Sequence, residues 1–267
     1  MKIKYLLVVF IAFVISSCMW GGSNEQAPAI NTDTLIYTYK TLKQRDPACG
    51  NKPDSDCALV DIKYPEFNNT SSLNDSVKHK LLTMFRSGPL PVNDTSLQKF
   101  AVDFIGLSVK DTIKGPSAVY KIESSAVVKR QDSSLTTIYF SGHSYAGGAH
   151  GSNNYSFINW NTKAASVIKL TDIFIDGYNE KLTNIAEKIF RQQEKLSDTA
   201  TLKDNYFFNN GTFALNNNFL ITPTGLIFLY NEYEIKSFAA GITQLDIPYE
   251  QIKLLLRPNT VIAQYIK

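Results

Sequence analysis

Residues 118–144, AVYKIESSAVVKRQDSSLTTIYFSGHS, contain the pattern that decides the fold. Apolar and polar residues alternate over residues 118–129 and again over residues 135–144, with a polar stretch between them. Alternation with a period of two predicts two antiparallel strands joined by a turn. Residues 154–161 continue the alternation, so we expect a third antiparallel strand beside them.

The flanking sequence adds both helices and further strands. Residues 73–85 and 96–107 place apolar side chains at the 3.6-residue helical period, and so does the longer segment 179–196. Further strands are predicted at residues 35–43, 58–64, 219–222, 226–230 and 244–247, and a last helix from Pro248 to Leu256. This mixture predicts an α+β fold, with antiparallel sheets and helices packed on one face.

The first 18 residues have the order of a secretory leader. Lys2 and Lys4 give a positive start, residues 5–15 are almost entirely apolar, and small residues then lead to Cys18. The apolar run is about 11 residues, too short to span a bilayer as a helix. The ending Ile15-Ser16-Ser17-Cys18 resembles the lipobox of bacterial lipoproteins, which implies cleavage before Cys18 and a lipid anchor on its sulfur. The alternative is an ordinary leader cut elsewhere, with Cys18 incidental.

The other two cysteines, Cys49 and Cys57, bracket the polar segment GNKPDSD, whose residues are typical of turns. In an exported protein this spacing predicts a disulfide that closes a short loop. The alternative, a zinc site, would need further Cys or His ligands, and none lies nearby in the sequence.

Composition limits the possible partners. Loss of Lys2 and Lys4 with the leader leaves 25 basic against 24 acidic residues, a formal charge of +1, which gives no electrostatic footprint for nucleic acid. The 14 Tyr and 16 Phe residues favour strands. We expect four segments: a leader (1–17), a flexible tether (18–33), an N-terminal α+β subdomain (34–145) and a C-terminal α+β subdomain (146–267).

The segment YAGGAHG, residues 145–151, is the sharpest local feature. Its glycines permit positive φ and close backbone approach, so the loop could present His150 beside backbone N–H groups. The alternative is a tight bend with His150 hydrogen-bonded into the fold. The candidate binding residues here are Tyr145, Gly147, Gly148 and His150. The histidine spacing matches no metal motif, and phosphate-binding loops and dinucleotide fingerprints are absent, so we expect no metal and no cofactor.

A second candidate segment runs from Tyr230 to Gly241. Within it Tyr230, Glu232, Tyr233, Glu234 and Phe238 combine aromatic rings with acids, as recognition surfaces do. If the strand continued through this segment, Glu232 and Glu234 would share one face. The alternatives are a solvated sheet face for the two acids and a place in the core for Tyr233 and Phe238.

Several segments together resemble a known family. They are residues 62–67 with 73–77, YAGGAHG, residues 170–174 (LTDIF), and residues 226–249 with YEI, FAAG and IPY. In this order they resemble the extracytoplasmic domain of RsiV-type anti-sigma factors and the accessory domain of PdaC-type peptidoglycan deacetylases. The resemblance implies an α+β domain outside the cytoplasmic membrane without catalytic residues of its own. The sequence shows neither a sigma-binding segment before the leader nor a deacetylase domain after residue 256, so we expect neither activity.

The resulting hypothesis is a non-catalytic lipoprotein, exported and anchored to a bacterial membrane, that binds a lysozyme-like protein or a peptidoglycan fragment. Because lysozymes are strongly basic, their partner surface should be acidic. Four acids are close enough in sequence to cluster: Glu232, Glu234, Asp246 and Glu250. The alternative hypothesis is an envelope hydrolase that pairs His150 with a carboxylate.

Overall fold

The structure is a computed structural model that describes residues 35–85, 96–110, 119–132 and 134–266. The predicted leader, Cys18 and the tether lie outside these residues. Within the described part of the chain, no helix is both long and apolar enough to cross a membrane.

Six strands form one sheet, and their order in the sheet follows the chain. They are β1 (Tyr37–Arg45), β2 (Leu59–Phe67), β3 (Lys121–Asp132), β4 (Leu135–Tyr145), β5 (Ser152–Asn161) and β6 (Ser166–Val167). The three strands predicted from the central alternation are β3, β4 and β5, and they pair antiparallel as expected. The predicted α+β class is confirmed.

One pairing differs from the antiparallel prediction, because β2 and β3 run parallel. Between them the chain forms two helices, α1 (Ser71–Thr83) and α2 (Leu97–Lys110). Parallel neighbours require a long crossover, since the chain must return to the same end of the sheet before it can pair again. Two predicted helices in succession were therefore the signal for a parallel pair.

Both helices cover one face of this sheet. The helical period predicted for α1 is confirmed, because Leu73, Val77 and Leu81 are fully buried. Each such side chain contributes about 1.5–3 kcal/mol when removed from water. The core beneath the helices also includes Ile62, Phe100, Phe104, Ile122, Ile138, Phe140 and Trp160. The opposite face of the sheet carries polar and aromatic side chains of β2 to β5.

Cys49 and Cys57 form a disulfide across the connection between β1 and β2, with their Cα atoms 5.8 Å apart. Asp46 holds the turn that leads into it, because its carboxylate accepts a hydrogen bond from the Ala48 N–H at 2.9 Å. Cys57 is fully buried. The bridge therefore fixes the end of the first hairpin against the core.

A second core lies around a three-stranded antiparallel sheet of β7 (Phe219–Ile221), β8 (Gly225–Tyr230) and β9 (Thr243–Pro248). The short helix α3 (Leu170–Ile173) leads to α4 (Tyr178–Gln193), which buries Leu182, Ala186 and Phe190. Phe190 contacts the rings of Tyr206, Phe208 and Phe213 at centroid distances of 5.0–5.6 Å. This aromatic cluster supplies much of the apolar area of the second core.

The last predicted helix is shorter than expected. Helix α5 spans only Tyr249–Ile252, and a 3-10 turn at Lys253–Leu255 follows it. The helix ends there because the chain becomes extended at Leu256, which forms a β-bridge with Phe174. Pairing with a distant segment thus prevailed over local helix propensity.

Side-chain amides join the second core to the edge of β5. Asn231 accepts a hydrogen bond from the Tyr155 N–H at 2.7 Å and donates one to the Tyr155 carbonyl at 3.1 Å. Asn218 accepts from the Phe157 N–H at 3.2 Å. Unpaired edge groups are costly and prone to pair with other chains, so these amides seal the edge. The division predicted between residues 145 and 146 falls inside the six-stranded sheet, because β4 and β5 on its two sides are paired.

Candidate binding surface

The glycine-rich loop follows β4 and turns through two consecutive glycines. Gly147 and Gly148 have φ values of 89° and 90°, so the predicted positive φ is confirmed at both positions. The Tyr145 hydroxyl donates a hydrogen bond to the Gly148 carbonyl at 2.9 Å. At Gly151 a Cβ atom would collide with the ring of His143. The glycines therefore set the path of the loop and allow a histidine ring to lie against the backbone.

The second candidate segment forms a turn, which corrects the prediction that Glu232 and Glu234 share a strand face. Strand β8 ends at Tyr230, and Tyr233 has a φ of 64°. Glu234 holds this turn, because it accepts hydrogen bonds from the Asn231 N–H and the Asn216 side chain, both at 2.8 Å. A bulky residue with positive φ is strained and is retained only where its surroundings fix it.

The structure brings the two candidate segments together at His150. Its ring stacks on Phe238 with centroids 4.1 Å apart and lies 5.9 Å from the Tyr233 ring. His150 Nδ1 is 2.8 Å from the Gly151 carbonyl, which can only accept, so Nδ1 carries the hydrogen. In the neutral ring Nε2 then accepts from the Tyr233 hydroxyl at 3.0 Å. The cluster of His150, Tyr233 and Phe238 is called the aromatic patch below.

The aromatic patch lies at the surface. Tyr233 is 52% exposed and His150 is exposed, whereas Phe238 is half-buried. The alternative that Tyr233 fills the core is therefore wrong. The core side chain of this segment is Ile235, which is only 4% exposed.

Tyr230 is not part of this surface, which corrects its assignment as a binding residue. It is 1% exposed, and its hydroxyl donates to the Ala214 carbonyl at 2.7 Å. Burial raises the pKa of Tyr230 well above its ordinary value. Its ring points inward because β8 is buried on both sides over most of its length.

The four acids expected to cluster are divided between two regions. Glu232 and Glu234 follow Tyr230, whose partner in the β8–β9 ladder is Thr243. Glu250 follows Pro248 at the other end of that ladder, roughly 17–20 Å away for strands of this length. Asp246 lies between the two ends and accepts hydrogen bonds from Gln244. A single acidic patch of these four residues is therefore not formed.

A polar cleft of about 380 Å³ lies on the face of the six-stranded sheet opposite α1 and α2. Strands β2 to β5 supply its walls, which include Asp61, Glu123, Ser125, Ser141, His143, Asn153 and Tyr155. The hydroxyls of Ser125 and Ser141 are 3.0 Å apart. These residues share one strand face, so the same alternation that predicts the strands could have located the cleft.

Hydrogen bonds connect the cleft to Glu232, the residue that precedes Tyr233 of the aromatic patch. Asn153 donates from its side chain to Glu232 at 3.1 Å, so its oxygen faces His143 and accepts from Nδ1 at 3.1 Å. Glu232 also accepts from the Asn153 N–H at 3.2 Å. Glu232 is thus anchored to β5 beside the residues that hold Tyr233. The cleft and the patch are called the candidate binding surface below.

Aromatic side chains extend the cleft along the same sheet face. Tyr139 stacks on Tyr155 at 6.2 Å and contacts Phe157 at 5.7 Å. The Lys129 ammonium lies 5.0 Å from the centre of the Tyr139 ring. Burial raises the pKa of Tyr139, with the neighbouring Tyr155 adding to the effect. Neutral, half-buried rings of this kind offer flat apolar faces to a ligand.

The hydrolase hypothesis requires a carboxylate beside His150. The hydrogen bonds of His150 go instead to a backbone carbonyl and a tyrosine hydroxyl. His143 bonds to an amide. Among the described residues, no group of three or more His, Cys, Asp or Glu side chains is arranged to hold a metal ion. These hydrogen bonds hold the rings and polar groups of the surface in fixed positions.

The fold and this surface define an α+β protein in which a mixed sheet carries a second, smaller sheet module. Two family models match segments of the chain. Residues 51–153 match the model described as "Deacetylase PdaC", and residues 171–250 match "Protein of unknown function (DUF3298)". The PdaC part of the resemblance is thereby confirmed, and the chain combines a PdaC-type with a DUF3298-type segment. None of the curated proteins matches the chain.

Two solved structures have a similar fold. A DUF3298 family protein from Pseudomonas aeruginosa PAO1 is 24% identical, with a TM-score of 0.67 over 85% of this chain and 97% of that one. A DUF3298 family member from Bacteroides fragilis NCTC 9343 is 22% identical, with a TM-score of 0.64 over 87% of this chain and 98% of that one. At these identities the likeness establishes the arrangement of helices and strands.

Proposed function

We propose that the protein is a non-catalytic binding module of the bacterial cell envelope, and that its ligand is a peptidoglycan fragment. The observation that carries the proposal is the aromatic patch, in which His150 holds the exposed Tyr233 beside a polar cleft. A sugar ring has an apolar C–H face and a hydroxyl edge. Flat rings beside hydroxyls, an amide and carboxylates are complementary to both.

The size and chemistry of the cleft support a glycan of a few rings. Its volume of about 380 Å³ is at the lower end of the range for small-ligand sites. Asp61 and Glu123 can accept from sugar hydroxyls and acetamido N–H groups, and the paired hydroxyls of Ser125 and Ser141 can donate. Glu123 is also 2.9 Å from the Lys121 ammonium, which holds its carboxylate in place.

A lysozyme-like protein is the runner-up partner. A strongly basic partner favours a concentrated acidic surface, and the division of Glu232 and Glu250 between opposite ends of β8–β9 weakens that match. The formal charge of about +1 for the chain without residues 1–17 adds no general attraction. These features are the reason for placing the glycan first.

Calorimetric titration of the purified protein with a disaccharide-peptide muropeptide tests the proposal, with lysozyme titrated in parallel. The Tyr233→Ala variant should bind the muropeptide at least tenfold more weakly, and Tyr39→Ala, which removes another exposed tyrosine on β1, should bind as the parent does. Equal affinity in both variants would overturn the proposed surface. Salt-sensitive binding of lysozyme alone would replace the glycan with the protein partner.

Attachment to the membrane through Cys18 belongs to the same proposal. It rests on the leader pattern and the lipobox resemblance of residues 15–18. Cys18→Ala should move the protein from the membrane fraction to the soluble fraction, and intact mass should lose the lipid increment. Membrane association that persists in this variant would refute the lipid anchor.

A further inference from the structure

A cavity of about 490 Å³ lies outside the candidate binding surface. It is formed between the six-stranded sheet with α1 and the region of α3, α4 and β7–β9, which are called the two modules below. One wall is α1, which contributes His79 and Lys80. The other walls are β5 with β6, the start of α3, Tyr178 at the start of α4, and Phe219 at the start of β7. Sites for small ligands occur preferentially at such junctions, and this volume lies within their usual range.

The walls of this cavity are mainly apolar. Ile158, Val167, Leu170 and Phe219 are among the residues that line it. Val167 is 37% exposed although it lies on a short strand against α1. An apolar lining of this kind gains free energy when a hydrocarbon group replaces water.

The charged groups of the cavity all have one sign. They are the lysines Lys80 and Lys169, and none of the described residues that line the cavity is Asp or Glu. Burial lowers the pKa of Lys80. Among the described residues, no carboxylate lies within ion-pair distance of its ammonium group. A partly desolvated cation without a counter-charge is costly, and an anionic ligand would offset that cost.

We propose that this cavity binds an anionic amphiphile, a molecule with a hydrocarbon chain and a carboxylate head, whose head pairs with Lys80 while the chain lies against Val167, Leu170 and Phe219. Because the walls come from both modules, the ligand would also connect them. This site is separate from the candidate binding surface, so either proposal can fail without the other.

Three probes with the same chain and different heads test the charge requirement. Dodecanoate and dodecyltrimethylammonium are titrated below their critical micelle concentrations and dodecanol below its solubility limit, and binding is followed by calorimetry and by the melting temperature. Dodecanoate should bind at least tenfold more tightly than dodecanol, and the cationic probe should bind most weakly. Equal binding of all three, or of none, would overturn the proposal.

Two lysine variants test the role of Lys80. Lys80→Met keeps the length of the side chain and removes its charge, so it should bind dodecanoate at least tenfold more weakly and leave dodecanol binding unchanged. Lys78→Met is the control on the same helix, because Lys78 does not line the cavity. Circular dichroism checks that both variants are folded. An equal loss in the two variants would contradict the pairing with Lys80.

Discussion

The imidazole of His150 and the hydroxyl of Tyr233 form a 3.0 Å hydrogen bond across 83 positions of sequence. The bond joins the glycine-rich loop after β4 to the turn after β8. Each partner is also held locally, His150 by the Gly151 carbonyl and the Tyr233 turn by Glu234. The two segments that the sequence marks as candidate sites are thus one structural unit.

Truncation of Tyr233 should leave the fold intact. Its side chain is half exposed, so Tyr233→Ala should lower the free energy of unfolding by less than about 1 kcal/mol, well below the roughly 3–5 kcal/mol typical of a buried aromatic residue. Tyr230→Ala provides the contrast, because that ring is buried. Its removal should lower the free energy of unfolding by at least about 3 kcal/mol. Urea unfolding followed by circular dichroism measures both, and a reversed order would show that the patch is core.

Two glycine substitutions should have opposite effects on stability. Gly148 has a φ of 90°, and a Cβ atom added there would meet no other atom within 4 Å, so Gly148→Ala should destabilise by about 1 kcal/mol through backbone strain alone. Gly106 lies inside α2 with equally open space, so Gly106→Ala should stabilise by about 0.5–1 kcal/mol. Thermal unfolding gives both values, and effects of the same sign would contradict the argument.

Much of the fold could be predicted from periodicity. The alternation around residues 130–134 predicted β3 and β4, and the positions of Leu73, Val77 and Leu81 predicted α1 with its buried face. These elements could be predicted because each buries one face, and the spacing of apolar residues along the sequence shows which face that is. The strands predicted at residues 219–222 and 226–230 are likewise observed as β7 and β8.

The contacts between distant segments could not be predicted in this way. Glu232 lies in a turn because Glu234 and Asn231 close it, and nothing in the local pattern distinguishes that from a continued strand. Tyr230 is in the core, although a tyrosine side chain, with its ring and hydroxyl, suits a binding surface equally well. Pairing of Asn153 with Glu232 depends on the approach of β5 to the second sheet, which is set by tertiary packing.

Removal of the disulfide should weaken the protein by a limited amount. The bridge closes a short loop, for which the loss of chain entropy in the unfolded state is worth about 2–3 kcal/mol. The double variant Cys49→Ser with Cys57→Ser should lose that free energy of unfolding. Dithiothreitol should destabilise the parent to the same extent and leave the double variant unchanged. If dithiothreitol also destabilised the double variant, the loss of stability in the parent could not be attributed to this disulfide.

Stability should fall at alkaline pH, in part through Tyr206. Burial, with the hydrogen bond to Glu194 at 3.0 Å, raises the pKa of Tyr206 to about 12. An unfolded tyrosine loses its proton near pH 10, so the folded state binds more protons between pH 10 and 12. Its contribution is therefore complete below pH 10 and is lost as the pH rises towards 12. Tyr206→Phe should flatten this dependence in denaturant titrations, and an unchanged slope would contradict the assignment.

The seal on the edge of β5 gives the sharpest test of how the two modules are joined. Asn218 accepts from the Phe157 N–H and donates to the carbonyls of Tyr155 and Leu229, both at 3.0 Å. Asn218→Ala leaves these backbone groups without that partner and should cost about 1–3 kcal/mol. The neighbouring Asn217 is exposed, so Asn217→Ala should change the stability by less than about 0.5 kcal/mol.

The Asn218→Asp variant separates hydrogen bonding from packing at this position. Aspartate has nearly the same shape and can still accept from the Phe157 N–H, but as a carboxylate it cannot donate to the two carbonyls. If the hydrogen bonds of the Asn218 side chain join the modules, Asn218→Asp should destabilise the protein at least as much as Asn218→Ala does. The backbone N–H of Phe157 should then exchange its hydrogen faster in the alanine variant. If shape alone matters, Asn218→Asp should resemble the parent protein. Urea unfolding and amide hydrogen exchange distinguish these two outcomes. Only the outcome in which hydrogen bonding matters makes β5 an edge strand that the second module must cover.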